Sequence, residues 1–306
     1  MSDATVSSRG QRGDRKIAPR RRGFSRTTAW FAIPALFFGA VFFALPLALN
    51  LPLAFANWTT YRSEIVFNGL TNFVLLHSQG FLLKAVWVTL AYSVFAMIVQ
   101  NVVSLSLAYS LRESTLVNGF FRSLFFLPVL LSPLAVGYIW RGLLDPAGPL
   151  NAVIGLFIPG FDYAWLGNVE TALWAVAFVD AWKWIGLTTL VYIAGINAVP
   201  RELNEAAFID GANAWQSFWL VTFPLLAPAF TFNVVITLIG AFSAFDVIQA
   251  TTKGGPGDAT RSINILLQSQ WGAGNFGSGS ALGLVITAMV VLVAIPLVAY
   301  LRSREL

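Results

Sequence analysis

The chain alternates long apolar runs with shorter polar ones, and the length of each apolar run says what it is. Stretches over about 30–53, 85–111, 120–143, 170–198, 225–248 and 281–301 each exceed twenty residues, enough for a helix to cross a hydrocarbon core of about 30 Å. Backbone groups in hydrocarbon find no water, so each run has to satisfy its own hydrogen bonds. The pattern therefore predicts an all-α integral membrane protein with six transmembrane helices. Pro34 or Pro46 is expected to kink the first. Pro128 and Pro133 break the ladder of the third and leave carbonyls for neighbouring helices to serve. Residues 54–83, 144–167 and 249–279 are polar enough for three loops on one side of the membrane, with Asp145-Pro146 and Gly148-Pro149 as turn signals.

Two features at the start refine this picture. Residues 1–28 carry eight Lys and Arg and too few apolar residues to fold alone. They read as a disordered basic tail ahead of a transmembrane domain, 29–306. Basic tail, apolar run and Ala54-Phe55-Ala56 imitate a secretory signal with its cleavage site. The run is longer than a signal core of about 7–15 residues, so a retained helix is expected.

One polar stretch, about 199–223, interrupts the apolar pattern sharply. Arg201, Glu202, Glu205 and Asp210 crowd into ten residues, a charge density that has to lie in water or against another protein. Pro200 suits the first position of a short helix, where a missing N–H costs nothing. Gly211 suits the left-handed position just past its end. Leu203, Ala206, Ala207 and Asp210 share adjoining faces, and the two alanines leave room for close approach of another surface.

This stretch resembles the E-A-A loop of ABC importer permeases. That pattern runs E-A-A, three residues, G, nine residues, then I-x-L-P. Here Glu205-Ala206-Ala207 is followed by Gly211 and, nine residues on, by Val221-Thr222-Phe223-Pro224. A second stretch, Phe245-Asp246-Val247-Ile248 with Thr252-Lys253-Gly254-Gly255-Pro256 and Thr260, resembles a motif of the carbohydrate-uptake members, such as the sugar and glycerol-phosphate permease subunits. Gly-Gly-Pro is expected to turn the chain sharply as the fifth helix leaves the membrane. The resemblance implies a type I ABC importer permease fold with a cytoplasmic coupling helix between helices 4 and 5. It implies Glu202, Glu205, Ala206, Ala207, Asp210 and Gly211 as the contact with a separate ATPase, and a sugar or sugar-like substrate. It further implies a second homologous permease subunit, two ATP-binding subunits and an extracytoplasmic solute-binding protein. ATP and Mg belong on that reading to the ATPase partner, and this chain binds no cofactor.

Polar residues inside the spans are the candidates for a solute pathway. Asp180 and Lys183 lie three apart on one helix face. A charge near the bilayer centre costs roughly 2.5–3.5 kcal/mol on insertion scales. The two either neutralise each other, or Lys183 reaches the interface, or both line a path. Gln100 and Asn101 either bond neighbouring helices or line the same path. Asn233, Thr237, Gly240 and Ala244 recur at helical spacing as a tight helix contact or a pore wall. By residue type and position, Trp182, Lys183, Asn233, Thr237, Ser243, Phe245 and Asp246 are expected to supply hydroxyl partners and an apolar platform for a sugar. Trp140 and Trp165 suit an interfacial belt, and the single histidine, His77, a surface.

Composition and charge agree. The chain is 57% hydrophobic, 11% charged and free of cysteine, which excludes a disulfide scaffold and thiolate metal sites. Its net charge of +5 is better explained by topology than by nucleic acid, because the basic residues flank the spans. The tail, Arg112, Arg122, Arg201, Arg302 and Arg304 fall on one side, and only Arg62, Lys84, Arg141, Lys253 and Arg261 on the other. That bias places both termini and the polar elbow in the cytoplasm of a bacterial-type cell membrane. No phosphate loop G-x-x-x-x-G-K-[ST], H-E-x-x-H or G-x-S-x-G occurs, so ATP hydrolysis is assigned elsewhere and no enzyme is expected. An ion-gradient-driven secondary transporter is the alternative. It would use Asp180, Lys183 and Asp246 as coupling charges but leaves the elbow unexplained.

Overall fold

The computed structural model describes residues 26–62 and 64–303. Most of the expected basic tail, and Arg304, lie outside the described residues; the first helix begins inside that tail, at Arg26. Helix α1 (Arg26–Gly39) passes through a π-helical turn (Ala40–Ala44) into α2 (Leu45–Ala54). Pro34 and Pro52 are carried inside regular helix. The irregular turn falls just before Pro46, which lacks the N–H that a regular helix would offer to the carbonyl of Phe42.

The packing divides the chain after Ala48, and the larger unit starts at Leu49. A short antiparallel ribbon pairs β1 (Ala56–Asn57) with β2 (Val66–Phe67), Ala56 opposite Phe67. Helix α3 (Thr71–Ser78) follows, with His77 exposed in its last turn. Helix α4 (Phe81–Leu111) is the long spine. Its residues enter all three apolar clusters of the interior, through Val88 and Tyr92, through Ala85, and through Ala108 and Leu111.

The third expected span is not one helix. Helix α5 (Leu116–Phe126) runs into a 3-10 turn (Leu127–Leu130), and α6 (Pro133–Leu143) leaves at 102° to it. Pro128 and Pro133 each delete a ladder donor, and two such losses within six residues turn the chain instead of bending it. Ser132 restarts the helix, its hydroxyl accepting from the N–H of Ala135 at 3.1 Å.

Helix α7 (Pro149–Gly155) lies in the loop before α8 (Ala172–Ala198), the other central helix. Gly186 lets α8 approach the broken segment, because a Cβ there would overlap the backbone of Phe125 and Phe126. Trp140 and Trp165 are half-buried and pack against the same cluster as Val179 and Ile248. The Trp165 indole donates to Asn151 at 2.7 Å, which satisfies its polar edge indoors.

Beyond α8 come α9 (Arg201–Ile209), α10 (Ala214–Ser217), a π-helical turn (Phe218–Thr222), α11 (Phe223–Leu225) and α12 (Ala227–Phe242). The stretch Ala214–Leu225 is bent by 72° from α12. The fifth span was expected to continue to about Ile248, but α12 stops at Phe242. The reason is a distant side chain: Asn264 donates to the carbonyls of Phe242 at 3.0 Å and Ala244 at 3.2 Å, capping the helix end from another element. Helix α13 (Asp246–Thr251) then packs on α6, followed by α14 (Ile263–Gly272) and α15 (Phe276–Arg302). Gly254-Gly255-Pro256 thus closes α13 and not the membrane helix, and the hydroxyls of Thr252 and Thr260 meet there at 2.7 Å. Among the described residues, four helices are long and apolar enough to cross a membrane singly, or up to six if each bent pair counts as one span.

Candidate functional site

Two places on the larger unit gather the polar residues that the sequence put among apolar ones. The first is a cavity of about 410 Å³ between α4, α8 and α12. Its polar lining is Gln100, Asp180, Trp184, Thr188, Asn233 and Thr237, and the rest is apolar, with Leu187, Phe232 and Ile236 among it. The helix periodicity explains the α8 share: Asp180, Trp184 and Thr188 stand at successive steps of four on one face.

Gln100, Thr188, Asn233 and Thr237 are held by bonds between helices. Gln100 donates to the Thr188 hydroxyl at 2.6 Å, and Asn233 to the Thr188 carbonyl at 3.2 Å. Asn101, behind the cavity, uses both ends of its amide: it donates to Thr237 at 2.9 Å and accepts from the Tyr192 hydroxyl at 2.6 Å. One amide thereby ties α4, α8 and α12 together. Interhelical bonds of this kind contribute about 0.6 kcal/mol each in bilayers, so their value is chiefly to orient the lining.

Of the residues expected along a solute path, the structure brings Asn233 and Thr237 into this cavity. The others stand apart. Trp182 lines a separate apolar pocket of about 430 Å³ with Leu124, Pro128 and Phe178. Ser243 is exposed and donates to its own helix at Ile239. Phe245 packs against the core around α13, and Asp246 is exposed at that helix's start. Lys183 is 1% exposed and points away from the cavity. Its ammonium donates to the Val129 carbonyl at 3.3 Å and lies 3.7 Å from the ring centre of Trp184. The local ion pair with Asp180 does not form, since the ion pairs among the described residues are those of Asp258 with Lys84 and Arg261. Nor does Lys183 reach an interface. Gln100, expected either to bond a neighbouring helix or to line the path, does both. Trp184 and Thr188 are the lining residues that the residue-type argument left out, and the four-residue spacing from Asp180 is the signal that finds them.

The second place is the charged elbow. None of the residues of α9 is buried. Pro200 sits one position earlier than expected, as the N-cap of α9, since its extended backbone conformation suits the residue before the first helical one. At the other end Gly211 adopts φ +86°. Its N–H donates to the Phe208 carbonyl at 3.1 Å, and that of Ala212 to the Ala207 carbonyl at 2.9 Å, a complete Schellman closure. Asn213 and Gln216 cap the next helix reciprocally. Asn204 ties the elbow to its base: its side-chain oxygen accepts from the hydroxyls of Ser217 at 2.8 Å and Thr222 at 3.0 Å. Glu202, Glu205, Ala206, Asp210 and Gly211 are exposed and Ala207 half-buried, beside exposed Leu203, Phe208 and Ile209. Arg201, Glu205 and Phe208 also edge a groove of about 240 Å³ that reaches Tyr109 of α4 and Arg112 just past its end.

Residues 100–304 match the family described as binding-protein-dependent transport system inner membrane component. The match begins at Gln100 and includes both the cavity and the elbow. The chain belongs to this family. Among its relatives is the probable starch degradation products transport system permease protein AmyD of Thermoanaerobacterium thermosulfurigenes, 30% identical over 291 residues, 94% of this chain and 98% of the relative. Another is the sn-glycerol-3-phosphate transport system permease protein UgpA of Escherichia coli (strain UTI89 / UPEC), 30% identical over 275 residues, 89% and 92% of the two chains. In fold the permease is similar to a chain in the crystal structure of a bacterial ABC transporter involved in the import of the acidic polysaccharide alginate. That similarity has a TM-score of 0.77 at 22% identity, covering 92% of this chain and 97% of that one. This permease is accordingly a multi-pass membrane protein of the type I ABC importer fold.

Proposed function

We propose that this permease is the transmembrane subunit of an ATP-driven importer, and that it passes a sugar or sugar-like solute received from an extracytoplasmic binding protein. The observation that carries the reading is the elbow. A short helix with no buried residue, two carboxylates and three large exposed apolar side chains is closed at its end by Gly211 and tied to its base by Asn204. Such a helix has no reason to keep apolar groups in water unless a partner covers them. An ATPase gripping Glu202 to Gly211 from the cytoplasm is that partner. ATP and Mg are bound there, and both termini of the permease lie on the same side. A second permease subunit completes the pore, and a second ATPase grips its own elbow.

The elbow connects to the cavity through the chain itself, by α8 on one side and α12 on the other. Movement of the elbow therefore acts on the helices that carry Asp180, Thr188, Asn233 and Thr237. ATP shifts this equilibrium only through contacts that differ between the two states. The cavity offers hydroxyl-binding amides and an aromatic ring, which fits the sugar named for the relatives. Reconstitution with the partner permease, the ATPase and the binding protein in proteoliposomes tests the reading. Uptake should require ATP and the binding protein. Uptake that runs without ATP on a proton gradient would overturn it.

A further inference from the structure

The relatives of this permease are named for solutes of unlike charge: starch products are neutral, while glycerol phosphate and alginate are anionic. The lining of the 410 Å³ cavity bears on that difference. It contains one ionisable side chain, Asp180, and no basic one. The nearest cation of the same helix, Lys183, is turned out of the lining, its ammonium engaged by Val129 and the Trp184 ring.

Asp180 is itself 8% exposed, so its charge is little screened by solvent. Tyr92 from α4 and Trp184 from the next turn lie beside the carboxylate, and the buried Tyr92 hydroxyl makes no hydrogen bond. Lys183, though outside the lining, adds positive charge to the field at Asp180, and Asp246, at the start of α13, adds a smaller negative contribution. An ionised carboxylate only accepts hydrogen bonds. It is matched by a solute rich in O–H donors and opposed by one that brings phosphate or uronate oxygens. Gln100, Asn233 and Thr237 are neutral and discriminate little on charge.

We infer that Asp180 is a specificity-determining residue that admits uncharged glycans to the cavity and turns away anionic ones. This rests on the reading of the protein as a sugar permease.

The test measures binding to the cavity directly, without the binding protein, which would impose its own selectivity. The purified complex with its partner permease and ATPase is examined by saturation-transfer difference NMR with maltose as neutral probe and digalacturonate as anionic probe. Wild type should give a signal for maltose at least several-fold stronger than for digalacturonate. Asp180→Asn should raise the digalacturonate response on the order of tenfold relative to maltose. Asp180→Glu should keep the wild-type ratio. Equal signals in wild type, or an unchanged ratio in Asp180→Asn, would overturn the assignment while leaving the sugar reading standing. Absence of signal from both probes in wild type would remove the sugar reading and this inference with it. Should Asp180→Asn fail to assemble, the wild-type ratio decides alone.

Discussion

The ammonium of Lys183 donates to the carbonyl of Val129, and Val129 stands four residues before Pro133. In an unbroken helix the N–H of residue 133 would serve that carbonyl, and proline has none. A charged side chain on α8 thus replaces the donor that the broken α5–α6 segment lacks. The charge looked out of place in an apolar span and in fact closes a hydrogen-bond account on another helix.

Removing the ammonium should therefore loosen the break more than it disturbs the cavity. Lys183→Met keeps the apolar stem and leaves the Val129 carbonyl unserved, a loss of about 1–3 kcal/mol. The melting temperature of the purified complex should fall, while the maltose response of the cavity, once folded, stays within about twofold. A melting temperature equal to wild type would refute the replacement-donor role.

Gly186 marks the same junction from the packing side. A methyl at this position overlaps the backbone of Phe125 and Phe126, so Gly186→Ala should destabilise by about 1–3 kcal/mol. The control is Gly240→Ala on the cavity wall, where a Cβ meets nothing within 4 Å; its melting temperature should match wild type.

At the elbow, Gly211 has φ +86° with open space around it, so a substitution there is felt through the backbone alone. Gly211→Asp should cost roughly 1–2 kcal/mol of local order and abolish transport while the chain still inserts. Glu205→Lys should do the same by reversing charge at the docking face. Co-purification of the ATPase reads the effect, and undiminished recovery with either variant would count against docking.

Asn204 is predicted to act as a positioning residue. Asn204→Ala releases the Ser217 and Thr222 hydroxyls together, and should weaken the hold of the elbow on its base by about 1–2 kcal/mol. ATPase should still assemble, but ATP hydrolysis should lose its coupling to uptake. Unchanged uptake per ATP hydrolysed would show that the tie is dispensable.

For the cavity, Asn233→Ala and Thr237→Ala should each weaken uptake several-fold, since each loses a lining group and an interhelical bond. Ser243→Ala and Asp246→Asn, which lie outside the lining, should leave uptake within about twofold. The reverse ranking, measured as initial rates across solute concentrations, would move the solute path to the outer end of α12.

Much of this was legible in one dimension. Apolar run length decides whether a helix can span hydrocarbon, and a proline or glycine acts on its own few neighbours. The membrane class, the breaks at Pro128 and Pro133, and the left-handed Gly211 all follow from such local rules. The matched spacing of Glu205, Gly211 and Pro224 belongs with them, because a short elbow is built from contiguous residues. Tertiary structure decided what depends on distant partners. Asn264 ends α12 at Phe242, Lys183 turns to Val129 instead of Asp180, and Asn101 draws Tyr192 and Thr237 onto one amide. A polar group in an apolar surrounding takes whichever partner the packing brings within reach. That partner lies dozens of residues away, where no periodicity reports it.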